Sequence, residues 1–216
     1  SGGQIMKEYL SVKERTENEY VVQRSVFIAT VAPVSDQEEA DRIVKEICAK
    51  YPDATHNCYA YVADDLGNVM KFSDDGEPQG TAGQPMLEVL RKQGLRHVLA
   101  VVTRYFGGVK LGAGGLVGAY TKSVTDALKK AEIVKYKPSV TFFVETDYAC
   151  LKGLKREIAS LLEVREYPTE FSGNVLLKFS VPTETEADVR KTISEATLGS
   201  AKVSVSDETQ ICYQIK

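Results

Sequence analysis

The stretch "RHVLAVVTRYFGGVKLGAGGLVGAYTK", Arg96 to Lys122, decides the fold class of the first half of this chain. Its opening run of Val, Leu and Ala is a buried strand by composition. The segment from Leu116 on has the spacing of a helix, and six glycines fall in the 12 residues from Gly107 to Gly118. Glycine costs more backbone entropy on folding than any other residue, so this density needs a reason. Two remain open. The glycines let the chain turn sharply and let an anion approach the amides of a helix N-terminus, or they only let the helix pack closely on the sheet.

Working outward, strands and helices alternate. "EYVVQRSVFIATVA" suits a strand. "SDQE" at Ser35 is a capping box, and Ala40, Ile43 and Ile47 then mark one apolar helix face. "THNCYAYVAD" and "NVMKFS" pair as a hairpin across Asp65-Leu66-Gly67-Asn68. A helix from about Ala82 to Gln93, with Thr81 as its cap, stops at Gly94. "LVGAYTKSVTDALKKA" is the helix after the glycine segment. "KYKPS" punctuates the chain near Lys137 and Pro138. Beyond it the order is strand, helix, a hairpin of "VREYPTEF" and "NVLLKFSVP", helix, and the strand "AKVSVSDETQICYQI". That is the split βαβ order of ferredoxin-like folds. The expectation is an α+β protein of two domains, 6–136 and 138–214. "SGGQI" before Met6 reads as a tag remnant ahead of the native start.

The composition is that of a soluble globular protein, with 43% hydrophobic and 26% charged residues. No apolar run approaches the roughly 20 residues that span a bilayer, so no membrane partner is expected. The four cysteines form no C-x-x-C pair and read as reduced thiols of a cytoplasmic protein. The net charge of −3 argues against a general polyanion binder. Yet 91–125 contains no Asp or Glu, while Arg91, Lys92, Arg96, Arg104, Lys110 and Lys122 are all basic. This is either an uneven solvated face or an anion-facing surface.

Neither standard nucleotide motif is present. No P-loop glycine precedes Lys110 or Lys122, and the dinucleotide pattern begun by Gly112 and Gly114 meets Val117 where it needs glycine. The loop "SDDGEPQGTAGQP" puts Asp74, Asp75 and Glu77 within four residues. It is either a hydrogen-bonded structural loop or a place for Mg²⁺. His56 and Cys58 share one side of a strand. They read as a packed thiol beside a hydrogen-bonded imidazole rather than a nucleophile and its base. Tyr105 and Phe106, next to a core strand, are expected inside, with base stacking as the alternative.

These residues resemble those of the YigZ/IMPACT family. The resemblance rests on "VLAVVTRYFGGVKLG", with Arg104, Tyr105, Phe106, Gly107, Gly108, Leu111 and Gly112 in place. It rests also on "SDDGEPQGTAGQP", on "RSVFIA" and on His56 in "HNCYAY", and it covers Met6 to about Lys135. Beyond that point only the element order matches bacterial members. Family members often carry Arg where this chain has Gly118. The resemblance implies a first domain similar to the second domain of ribosomal protein S-five and a ferredoxin-like second domain. It also implies a link to translation, which eukaryotic relatives control through protein partners.

Three functions follow as expectations. The first is a non-catalytic regulator that binds RNA, the ribosome or a translation-associated protein, without DNA sequence specificity and without a cofactor. Its anion-binding residues would be Arg104, Gly107, Gly108, Lys110, Gly112, Gly114, Gly115 and Lys122, with His56, Ser73, Asp74, Asp75, Glu77 and Thr81 as a second functional loop. The second is a Mg²⁺-dependent enzyme for a nucleotide or other phosphorylated ligand, using the same two loops. The third is a protein-interaction module.

Overall fold

In the computed structural model, which describes residues 6–215, the apolar run of the opening stretch is β6 (Val98–Tyr105), the middle strand of a five-stranded antiparallel sheet. The reading of "SGGQI" lies outside the described residues. The strands are β2 (Thr16–Val22), β3 (Ser25–Pro33), β6, β4 (His56–Val62) and β5 (Met70–Ser73), in the order β2-β3-β6-β4-β5. A short β1 (Tyr9–Val12) precedes them. β6 is buried over almost its whole length because helices cover both of its faces. α2 (Gly83–Lys92) and α3 (Gly112–Lys130) pack on Phe27, Ala29, Cys58, Ala60, Ala100 and Val102. α1 (Gln37–Lys50) packs on Tyr61, Leu99 and Val101 from the other side. Strand alternation thus sends even-numbered residues of β6 toward α2 and α3, odd-numbered ones toward α1.

Four local expectations are corrected. "EYVVQRSVFIATVA" is a hairpin, β2 and β3, because Gln23 and Arg24 both take positive φ (45° and 65°) and close a two-residue turn. The capping box sits one residue later than read: Asp36 accepts from Glu39 N at 2.8 Å, and Glu39 accepts from Ser35 N at 2.7 Å. α3 starts at Gly112, so the last glycines of the segment lie inside the helix. Thr81 does not cap α2; its hydroxyl donates to Pro78 O.

The chain divides into two compact units, Tyr9–Val134 and a second unit from Lys135 onward that includes 6–8. The second is built from β7 (Ile133–Thr146), α4 (Tyr148–Ala159), β8 (Arg165–Glu166), β9 (Glu170–Ser172), β10 (Asn174–Pro182), α5 (Glu186–Ala196), β11 (Lys202–Val205) and β12 (Thr209–Gln214). β10 pairs antiparallel with β7 on one side and with β8 and β9 on the other, and β11 pairs antiparallel with β7. That strand order is the ferredoxin-like one, and the fold of the chain is α+β. "VREYPTEF" is split around Pro168, which has no N–H for the ladder. The last expected strand is broken into β11 and β12 at 206–208. The helices cover one face only, through Phe142, Val144, Leu154, Ile158, Leu177, Phe179 and Ile193. No helix among the described residues is long and apolar enough to cross a membrane.

Candidate functional site

Register brings the chemistry-bearing residues of the first unit together. Arg104 on β6 stands opposite Phe27 on β3 and His56 on β4. All three therefore share the face that carries α2 and α3, with Ser25 and Cys58 two residues away on the same face. Over them lie the loop between β5 and α2 and the Tyr120 ring from α3. Phe27 meets Tyr120 edge-on at 5.2 Å.

Glu77 is the centre of this cluster. Its side chain is only 3% exposed, and Oε1 accepts from Arg104 Nη1 at 2.6 Å and from Tyr120 OH at 2.7 Å. Arg104, itself buried, also donates to Ser25 Oγ at 3.3 Å, while its Nε has no hydrogen-bond partner. His56 Nδ1 lies 2.7 Å from Asp75 O. A carbonyl only accepts, so Nδ1 carries the hydrogen and Nε2 turns toward Glu77 Oε2, 3.7 Å away. Cys58 Sγ donates to Asp74 O at 3.0 Å. Burial pushes its thiol up to about 12, with the Glu77, Asp75 and Asp74 charges adding to the effect and Tyr120 opposing it. Burial, ahead of Cys58 and Glu77, raises the Tyr120 phenol as well. Both groups favour the protonated form, so Tyr120 serves as a donor and Cys58 packs as a thiol that donates to Asp74 O.

The loop carboxylates are held by the chain itself. Asp74 Oδ2 accepts from Gly80 N at 2.9 Å, and Oδ1 accepts from Ala82 N and Gly83 N at 3.1 and 2.8 Å, the first amides of α2. Asp74 is thus the cap that Thr81 was expected to be. Asp75 Oδ2 accepts from Asn57 N at 2.7 Å, and Ser73 Oγ accepts from Asp75 N at 3.2 Å. Asp74→Ala leaves three amides without their acceptor and should lower stability by about 2 kcal/mol. A urea-unfolding midpoint equal to wild type would contradict this role.

The glycine segment serves two different ends. A Cβ on Gly107 would stand 2.1 Å from the Arg24 carbonyl carbon, so this position is closed to any side chain. Gly108 and Gly112 take φ of 84° and 72°. Gly114 and Gly118 have nothing within 4 Å of a Cβ, and both are exposed. Leu111, the N-cap residue, makes no side-chain cap, and the first turn of α3 has no acid. The helix therefore opens to solvent as bare backbone. Lys110 beside it is exposed and has no acidic partner among the described residues. Lys122 lies over the Tyr20 ring and pairs with Asp126 at 2.8 Å. Phe106 is 46% exposed, contrary to the expectation that it packs inside, and the Arg104 guanidinium lies 5.6 Å from its ring centre. Tyr105 is half-buried, its hydroxyl on Asp53 Oδ1 at 2.9 Å.

The Impact N-terminal domain family matches residues 23–128, the span that runs from the β2–β3 turn almost to the end of α3. Over 189 residues the chain is 33% identical to the IMPACT family member YigZ of Escherichia coli, covering 87% of this chain and 92% of that one. The chain belongs to the IMPACT family. Its likeness to the family member YvyE of Bacillus subtilis is 45% over 154 residues, 71% of each chain. The crystal structure of a hypothetical protein, 32% identical, superposes with a TM-score of 0.61 over 92% of this chain and 97% of that one.

In this IMPACT family protein the matched span holds every member of the Glu77 cluster. The structure separates the residues that sequence reasoning had grouped. Arg104 leaves the surface set, because its charge is buried against Glu77; Lys110 and the start of α3 remain in it. His56 and Glu77 join Arg104 instead. Tyr120, Ser25 and Phe27 went unnoticed as cluster members. The signal for Tyr120 was a phenol on the apolar face formed by Leu116, Ala119, Ser123 and Val124.

Proposed function

We propose that the N-terminal unit binds RNA phosphates at the start of α3, and that the protein acts as a non-catalytic, translation-associated regulator. The observation that carries this reading is the bare helix start. Gly112–Gly115 carry nothing larger than the Ala113 methyl, and exposed Lys110 precedes them. Amides at a helix N-terminus, aligned with its dipole, favour an anion, and the absence of side chains lets a phosphate reach them. Exposed Phe106 adds a surface on which an unpaired base can stack. Family membership supports the regulatory role.

Co-sedimentation with ribosomal subunits across a salt series tests it. Log-affinity should fall with log-salt by about 0.7–0.9 for each phosphate neutralised. Lys110→Ala should weaken binding and flatten that slope by about one. Gly114→Glu should abolish binding while raising the melting temperature, because an acid in the first turn suits the helix dipole. Salt-insensitive or nuclease-resistant binding would point to a protein partner. Full binding by Gly114→Glu would remove the start of α3 from the contact.

A further inference from the structure

The second unit carries an arrangement that the N-terminal reading does not use. Its helices lie on one face of the sheet, and pairing register assigns the other face residue by residue. Phe143 on β7 stands opposite Lys178 on β10 and Ser204 on β11. Arg165 on β8 stands opposite Ser180, and Tyr167 N donates to Lys178 O at 3.0 Å. The exposed Lys178 ammonium lies 4.8 Å from the Tyr167 ring centre and 5.5 Å from that of Phe143. Arg165 lies 5.5 Å from the Tyr167 ring centre. Two half-buried rings and two exposed cations therefore alternate across β7, β10 and β8, and β7 and β10 are the middle strands of this sheet.

The other charges on this face are Lys202, Glu145 and Glu170, with Lys137 and Glu163 paired at 2.6 Å near Tyr213, whose hydroxyl bonds Ser139 of β7. Asn174 donates to Glu145 at 2.7 Å, and Lys202 lies 3.9 Å from it. Glu170 stands opposite Leu176 at the β9 edge. The two cations that lie against the Phe143 and Tyr167 rings, Lys178 and Arg165, have no acidic partner among the described residues. Flat rings beside mobile cations match a ligand that offers π faces and negative charge at a short repeat. A single nucleic-acid strand does so; a duplex hides its base faces in its own stack. Sheets that read RNA place aromatic residues on their surface; here Phe143 lies on the middle strand β7 and Tyr167 directly follows the edge strand β8.

We infer that this sheet face binds single-stranded nucleic acid, with bases stacking on Phe143 and Tyr167 and phosphates meeting Lys178 and Arg165. That the strand is RNA rests on the function proposed above; the stacking face does not. Binding requires the Lys178 ammonium to swing off the rings onto a phosphate, a change of rotamer at an exposed side chain.

The test uses the full chain and a short oligouridylate carrying one 2-aminopurine, whose fluorescence is quenched on stacking. Wild type and Tyr167→Phe should quench alike, since the ring is kept. Tyr167→Leu should bind roughly tenfold more weakly and lose most of the quench at saturation. Lys178→Glu, a surface change that spares the core, should weaken binding at least as much. Gly114→Glu blocks the contact proposed for the first unit, so the quench that persists at saturation in that background reports this sheet face alone. The same oligonucleotide annealed to its complement should bind far more weakly. Wild-type quenching by Tyr167→Leu, wild-type affinity of Lys178→Glu, equal binding of the duplex, or no binding of the strand by wild type would each overturn the inference. In the last case, retained binding of ribosomal subunits would leave the N-terminal reading standing.

Discussion

Replacing Glu77 with Leu is expected to lower the stability of the N-terminal unit by about 3–5 kcal/mol, the cost of stranding a buried charge. Arg104 would keep its guanidinium inside, with only the Ser25 hydroxyl to meet it. Tyr120 OH would lose its acceptor at the same moment. Arg104→Met should cost a similar amount, because it leaves the Glu77 carboxylate with Tyr120 alone as a close donor. The double variant should then be more stable than the sum of the two losses predicts, since removing both partners abolishes the unpaired charge. Urea unfolding of the four proteins closes this cycle, and hydrogen exchange at β6 amides assigns the transition to the right unit. Additive single losses, or losses below about 1 kcal/mol, would mean that water reaches the pair and that the cluster is not the node described.

The cluster matters beyond stability because of what it joins. Glu77 comes from the loop between β5 and α2, Arg104 from β6, Tyr120 from α3 and His56 from β4. Tyr120 lies about two turns into α3, so the same contacts that bury Glu77 hold the start of α3 where Lys110 and Phe106 flank it. Stability and the proposed RNA contact thus share a support. A loss of binding in a Glu77 variant would not place Glu77 at the ligand.

What the sequence revealed follows the range of the interactions concerned. Local pattern was enough for α1, α2, β4, β5 and β6, because apolar spacing and stops such as Gly94 act within a few residues. The ferredoxin-like order was readable from element succession alone. The β2–β3 turn was not, since Gln23 and Arg24 lack the Asn-Gly chemistry that ordinarily announces positive φ. Asp74 could not be recognised as the cap of α2, because it reaches helix amides from well before the helix start. Arg104 reads as surface charge for a related reason: its partner Glu77 lies 27 positions earlier, and only the β5–α2 loop folding over the sheet places them together. Phe106 was expected inside as a neighbour of a buried strand, but β6 ends at Tyr105 and the chain turns outward there.

Gly107→Ala and Gly114→Ala, the same change at two glycines of one segment, should move stability in opposite directions. At position 107 the new methyl would lie 2.1, 2.3 and 2.4 Å from backbone atoms of Arg24 and Ser25. Those atoms belong to a two-residue turn already held at positive φ, so they have little room to yield. A loss of about 3 kcal/mol is expected, the upper end for forced overpacking. At position 114 the methyl meets nothing within 4 Å, and alanine suits a helix better by roughly 0.5–1 kcal/mol. A gain is therefore expected in the urea midpoint. If nothing approaches the α3 amides at Gly114, that variant should bind ribosomal subunits as wild type does. If a phosphate approaches the α3 amides, the added methyl crowds it, and affinity should fall while stability rises. Stability and binding that rise together would leave the bare helix start without the role assigned to it.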